Sequence, residues 1–212
     1  MTAIRENTHY KNYELFPIQS ETTSQNESYE SHGFKVIRDC INKIEGEIAV
    51  LIDEGLFPEN GEWLELLCEN ALRKETGAVG PLVLTQDGKI LHAGLVLNEN
   101  NTWQSPYKGE SYDHFAPFFV SPAVSRNVLG LAGCIAVEKK KLLRLENCRN
   151  IQDCCVKLYQ LGYYNLFLPY SKLVAVENFC IERKSSFGAA DSFFSPNLSI
   201  REKKVKLKEL YL

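Results

Sequence analysis

The side chains best suited to chemistry are few in this sequence, and each also has a plain structural use. The run Glu47-Ile48-Ala49-Val50-Leu51-Ile52 ends on two carboxylates and a glycine, Asp53-Glu54-Gly55. Carboxylates at such a strand end commonly bond the amides of a nearby turn. Asp153 falls in the first turn of a helical pattern, where a negative charge stabilises the helix dipole. His92 stands alone on a strand, a setting in which a histidine commonly serves the structure. The seven cysteines (Cys40, Cys68, Cys134, Cys148, Cys154, Cys155 and Cys180) show no CxxC spacing. Adjacent Cys154-Cys155 cannot aim two thiolates from one helix at one zinc without distortion. They read as reduced, small apolar packing residues of a cytoplasmic protein.

These residues need a scaffold. A chain of 212 residues suits one generous domain, able to bury about 70% of its unfolded surface. With 24 basic against 27 acidic residues the net charge is −3, which offers no electrostatic footprint for nucleic acid. No apolar run approaches the roughly 18 residues of a membrane span, and Met1-Thr2-Ala3-Ile4-Arg5-Glu6 leads into polar sequence with no signal-peptide core. The expectation is a protein that is neither transmembrane nor secreted.

Residues 1–33 read as a polar, partly irregular arm, rich in Ser, Thr, Asn, Gln and Glu from Gln19 to Ser31. Phe34-Lys35-Val36-Ile37 predicts a short strand. The unalternated run at 47–52 predicts a strand covered on both faces. Asn60 or Gly61 then caps a helix carrying Trp63, Leu64, Leu66, Leu67, Ala71 and Leu72 at helical spacing. A strand follows over 78–84, with Pro81 indicating an edge or a bulge. Gln86-Asp87-Gly88-Lys89 is a hairpin turn, and 90–97 returns as its second strand. Residues 98–115 form a long polar and aromatic loop containing Trp103, Tyr107 and Tyr112. Residues 128–137 predict a glycine-punctuated strand, 151–161 a helix with Val156, Leu158 and Leu161 inward, and 163–168 a further strand. The lysine-rich run Lys203-Lys204-Val205-Lys206-Leu207-Lys208 reads as a solvated helix face. The order is that of an α/β fold.

Five blocks, taken together, resemble the C-terminal two-thirds of bacterial family 2 glycosyltransferases, GT-A-fold enzymes of the polysaccharide and O-antigen type. The first is Gly46 through Gly55 with Trp63-Leu64-Glu65, similar to the strand ending in the family's Asp-X-Asp and the helix behind it. The second is Gly77-Ala78-Val79-Gly80 with Asp87-Gly88-Lys89-Ile90-Leu91-His92-Ala93-Gly94. The third runs from Arg126-Asn127-Val128 through Gly133 to Val137. The fourth is Asp153-Cys154-Cys155-Val156-Lys157-Leu158 with Gly162-Tyr163 and Pro169-Tyr170. The last, Asp191-Ser192-Phe193-Phe194-Ser195-Pro196-Asn197-Leu198-Ser199, resembles the family's Asp-X-Tyr-Tyr-Asn-Pro-Asn-Leu-Ser ending. Each block is weak by itself; their order across residues 46 to 199 is specific.

The resemblance implies a GT-A-like mixed sheet flanked by helices over residues 34–212, incomplete at its N-terminal side. The family's first strand and its Asp-Asp-Gly-Ser strand end, which hold the nucleotide, have no counterpart here; Leu15-Phe16-Pro17-Ile18-Gln19-Ser20-Glu21 stands in place of the second. The implied reaction moves a sugar from a nucleotide-diphospho-sugar to a glycan or lipid-linked acceptor, with a divalent Mg2+ or Mn2+ at the diphosphate and a carboxylate as base. In the metal motif Asp53 matches, Glu54 lies between, and Gly55 replaces the second aspartate. At the base position Ile151 replaces the acid, leaving Asp153 as the catalytic candidate. Glu177 aligns with the family's His-X-Glu element, without the histidine. On the acceptor side the resemblance marks His92, Gly133 as a close-approach glycine, and Trp103, which with Tyr107 and Tyr112 either stacks on a sugar or folds over its own core.

Two functions follow from these departures. One is a glycosyltransferase domain, impaired or dependent on a partner chain; the other is a non-catalytic module that binds a glycan or a partner glycosyltransferase. Both suit a cytoplasmic or membrane-peripheral site. A missing first strand would leave a sheet edge exposed, so the sequence predicts association, as a homodimer or with a partner chain. Light scattering after size exclusion that gives a clean monomer of 24.1 kDa would contradict this.

Overall fold

The computed structural model describes residues 2–16, 40–112, 121–146, 148, 150–176, 185, 188, 191–194, 198–201 and 204–207. In chain order the elements are helix α1 (Thr2–Glu6), strands β1 (Ile48–Ile52) and β2 (Leu56–Pro58), and helix α2 (Trp63–Ala71). Strands β3 (Thr76–Thr85), β4 (Ile90–His92), β5 (Val96–Leu97), β6 (Trp103–Gln104), β7 (Arg126–Val128) and β8 (Cys134–Glu138) follow. Helices α3 (Lys139–Leu142) and α4 (Ile151–Gln160) then lead to strands β9 (Tyr164–Ala175), β10 (Leu198–Arg201) and β11 (Lys204–Leu207).

Seven strands form one mixed sheet in the order β1-β8-β3-β9-β2, with β4 added beside β3 and β7 beside β9. The central pair, β3 and β9, is parallel; the other pairings are antiparallel. The two-residue period of a strand divides the side chains between two cores. From β3, Ala78, Leu82 and Leu84 face one core, together with Ile135, Val137 and Phe167 and with Cys154, Cys155 and Leu158 of α4. Val79 and Val83 face the other, with Trp63, Leu64, Leu67 and Ala71 of α2. A sheet with helices on both faces needs a central strand apolar throughout, and every residue of β3 except Thr85 is buried.

Several expectations are sharpened or corrected by this arrangement. The strand at 47–52 does have both faces on cores, Ala49 and Leu51 on one and Ile48, Val50 and Ile52 on the other. It nevertheless lies at the end of the strand order, so only Ala49 is fully buried. Pro81 marks a bulge and not an edge: opposite Pro81/Leu82 the pairing on β9 jumps from Leu168 to Lys172. Helix α2 starts after Glu62, which makes no side-chain cap, and not after Asn60 or Gly61; Leu72 and Leu161 lie exposed beyond the last turns of their helices. The strand predicted at 163–168 continues to Ala175.

The second hairpin strand stops at His92. There the backbone passes so close to its neighbours that a Cβ on Gly94 would lie 2.8 Å from Val128 Cγ1, and Val96–Leu97 pairs instead with Trp103–Gln104 in a separate ribbon. Residues 128–137 likewise split into β7 and β8. Lys204–Leu207 is a strand paired with Leu198–Arg201, not a helix face. In the N-terminal arm, α1 is followed by Thr8, whose hydroxyl accepts the Trp63 indole N–H at 2.9 Å. The predicted strand at 34–37 falls outside the described residues. Cys134, Cys148, Cys154 and Cys155 are buried free thiols, as expected of packing residues; Cys40 and Cys68 are half-buried, and Cys180 falls outside the described residues.

One side chain that no motif marks ties these layers together. Opposite Asn165, β3 carries one residue too many between the Thr76–Tyr164 and Val79–Leu166 pairs. The Asn165 side chain takes the place of the missing ladder partner: its Oδ1 accepts the Ala78 amide at 3.1 Å. Its Nδ2 donates to the carbonyls of Leu129 (3.0 Å) and Cys155 (2.8 Å). Removing it orphans a buried donor and two buried acceptors. Asn165→Ala is expected to cost about 2–4 kcal/mol in urea unfolding; a loss under about 0.5 kcal/mol, the level of an ordinary surface change, would contradict this tie.

Candidate functional site

Strands β7 and β8 both run antiparallel to the central pair, so the five residues between them must return along the sheet. They cross its α4 face. Leu131 lies over Gly80, where a Cβ would sit 2.7 Å from Leu131 Cδ2, so a side chain on Gly80 would evict the crossing. Four hydrogen bonds fasten it. Leu129 O accepts from Asn165 Nδ2, Gly130 O from the Leu95 amide (2.8 Å), and Gly133 O from the Asp53 amide (2.7 Å). The Ala132 amide donates to His92 Nε2 at 3.0 Å. Gly133 itself has φ +75°, a left-handed conformation suited to glycine.

Four of the residues marked by the sequence therefore converge on this crossing: Asp53, His92, Trp103 and Gly133. Asp53 and Glu54 are exposed at the end of β1. Gly55 follows with φ +84°, so the position that lacks the family's second aspartate also has a backbone shaped for glycine. Among the described residues no three His, Cys, Asp or Glu side chains gather as metal ligands. A cation at this strand end would have to draw most of its shell from water and a diphosphate, as Mg2+ commonly does.

For His92 and Trp103 the burial follows the structural one of the two readings that the sequence allows. The His92 imidazole is fully buried, which keeps an acceptor hydroxyl away from it, and its Nε2 accepts the Ala132 amide. Burial, and then the Arg126 charge, push its pKa down to about 3. The ring is neutral, with its proton on Nδ1, which has no hydrogen-bond partner among the described residues. It supports the crossing and cannot exchange protons near pH 7. Trp103 is equally buried, packed with Leu95, Leu97, Leu129, Ala132 and Val156, and a Cβ on Gly130 would lie 2.7 Å from its Cζ3. It is a core residue. Tyr107 and Tyr112 pack partly buried against the α4-side core.

Asp153 belongs to helix α4. It occupies the first turn of α4, where its amide donates to the Asn150 side chain at 2.9 Å, a capped helix start that favours a carboxylate. Glu177 lies outside the described residues. Two polar residues escape sequence reasoning besides Asn165. Arg126 opens β7 beside His92. Asp191 is a buried carboxylate whose oxygens accept the amides of Leu97 (3.0 Å) and Phe193 (2.9 Å); burial raises its pKa. Both lie in blocks that carry the resemblance, which was their available signal.

No family model matches the chain. Over 137 residues it is 24% identical to the uncharacterized protein y4gI of Sinorhizobium fredii, covering 60% of this chain and 15% of that protein. A crystal structure of GalNAc-T7 with UDP, GalNAc and Mn2+ superposes with a TM-score of 0.51 at 16% identity, over 73% of this chain and 31% of that one. The fold is GT-A-like. The chain thus spans less than a third of the structure it matches and under a sixth of y4gI. No helix among the described residues is long and apolar enough to cross a membrane.

The buried histidine makes a signed prediction. Its folded pKa lies near 3, against about 6.5 in an unfolded chain. Between those values the unfolded state holds more protons, so stability falls as pH drops, by up to about 1.4 kcal/mol per unit. His92→Gln keeps an acceptor for Ala132 without titrating. Urea midpoints measured from pH 7 to 4.5 are expected to fall more steeply for the wild type than for His92→Gln; parallel curves would refute the buried neutral imidazole.

Proposed function

We propose that this chain is a glycosyltransferase domain of the bacterial family 2 type. It takes a nucleotide-diphospho-sugar as donor and a glycan or lipid-linked acceptor, in the cytoplasm or at a membrane periphery. The observation that carries this reading is the exposed Asp53 at the end of β1, its amide fixed at 2.7 Å to Gly133 O of the crossing, within a GT-A-like fold. That is the setting in which the resemblance expects the first metal carboxylate. The carboxylate can meet the ribose or a water-bound Mg2+ or Mn2+.

The same geometry supports weak or partner-dependent activity. Gly55 supplies no second carboxylate, Ile151 stands where the base is expected, and Asp153 lies in the first turn of α4. A homodimer or partner chain that supplies the nucleotide-binding strands belongs to this reading.

A second reading, a non-catalytic module that binds a glycan or a partner glycosyltransferase, is favoured by one feature. The φ of +84° at Gly55 shapes the motif for glycine instead of leaving a vacant aspartate position.

Titration calorimetry with UDP-, GDP- and dTDP-sugars, with and without Mn2+, separates the two. The first reading expects micromolar, metal-dependent binding that Asp53→Asn weakens at least tenfold. Absence of heat with every donor, while a glycan or partner enzyme binds, would favour the module.

A further inference from the structure

Beside the crossing lies a cation that has no counter-ion among the described residues. Arg126 donates from Nη2 to Ala93 O and from Nη1 to Ser121 O (3.3 Å), and its guanidinium stacks 4.6 Å from the centre of the Phe167 ring. A guanidinium has five N–H donors, and these contacts use only part of that fork. Carbonyls and a ring do not neutralise its charge, and among the described residues no Asp or Glu forms an ion pair with it. Charges held away from water are ordinarily paired.

Burial lowers the Arg126 pKa to about 10, and the same charge helps to keep His92 neutral. Tyr107, which senses Arg126 electrostatically, holds a left-handed backbone with φ +67°, an uncommon conformation for a bulky residue. Arg126 is only half-buried, and among the described residues part of its fork has no hydrogen-bond partner.

We propose that Arg126 is the recognition residue for an oxyanion, a phosphate or a carboxylate, on a ligand that docks at the start of β7. The inference rests on the glycosyltransferase reading for the ligand's identity, because the anion is then either the donor's diphosphate or an acid group of a sugar acceptor. The capture of an oxyanion by this fork does not depend on that reading. Planar, two-point recognition of oxyanions is what arginine does better than lysine.

Calorimetry on the full chain would use pyrophosphate, UDP, glucuronate and, as a neutral control, glucose, against wild type, Arg126→Gln and Arg126→Lys. Pyrophosphate or glucuronate is expected to bind the wild type and glucose not. Arg126→Gln should weaken the anion at least tenfold, and Arg126→Lys, which keeps the charge and loses the fork, at least threefold. Response to pyrophosphate and UDP assigns the anion to the donor. Response to glucuronate alone assigns it to the acceptor and supports the inference even if every nucleotide fails to bind, which separates the two readings. Wild type that binds neither anion overturns the inference, as does unchanged affinity in Arg126→Gln. If the glutamine variant does not fold, unchanged affinity in Arg126→Lys, with a melting temperature near wild type, overturns it equally.

Discussion

A return segment that must cross the face of a sheet needs both room and anchorage, and the rest of this structure is arranged around supplying them. Room comes from Gly80, whose missing side chain lets Leu131 lie against the strand. Anchorage comes from the Asn165 amide, which joins β3, the crossing and α4 with three hydrogen bonds inside the core. A buried amide satisfied at this many points is a specific device: its net contribution is modest, but any shifted register leaves its partners unpaired. The positions of β8, of α4 and of the strand end bearing Asp53 follow from the same tie.

The electrostatics of the site follow from that packing. Because the crossing covers His92, the imidazole is neutral and serves as an acceptor. Because Arg126 is held against Phe167 and two carbonyls, its charge stays in place with no carboxylate among the described residues to balance it. Asp53 remains at the surface, so the acidic and basic elements of the site differ in exposure. The acid faces water at the strand end; the base is half-buried beside the hairpin. A ligand with separate cation-binding and anionic parts suits that separation better than a neutral one.

Much of the scaffold is legible in the sequence because it is local. The apolar runs of β1 and β3, the helical spacing of α2 and α4, and the Asp87-Gly88 turn each depend on near neighbours. What is not legible depends on distant ones. The break at Ala93-Gly94 and the split of 128–137 into two strands come from close approaches to Val128 and Gly80, which no periodicity encodes. Asn165 looks like any polar residue at a strand start until the extra residue of β3 stands opposite it. Lys204-Val205-Lys206-Leu207 has the two-residue period of a strand, hidden by its charge density. At the site, Asp53 and Gly133 are marked by the family resemblance, whereas His92 and Trp103 carry residue types it also marks with their faces turned inward.

The bulge at Pro81 divides the sheet in a further sense. Below it, β3 is flanked by β8 and the first half of β9; above it, by β4 and the second half of β9, and β9 inserts Pro169, Tyr170 and Ser171 at the join. The long central strands thus belong to two hydrogen-bonded ladders sharing a covalent backbone and little lateral pairing between them. Such ladders can open one at a time. The half that carries β2 can loosen around an entering molecule while β4, tied to the crossing through His92, stays with β7 and β8 and keeps the site's frame closed.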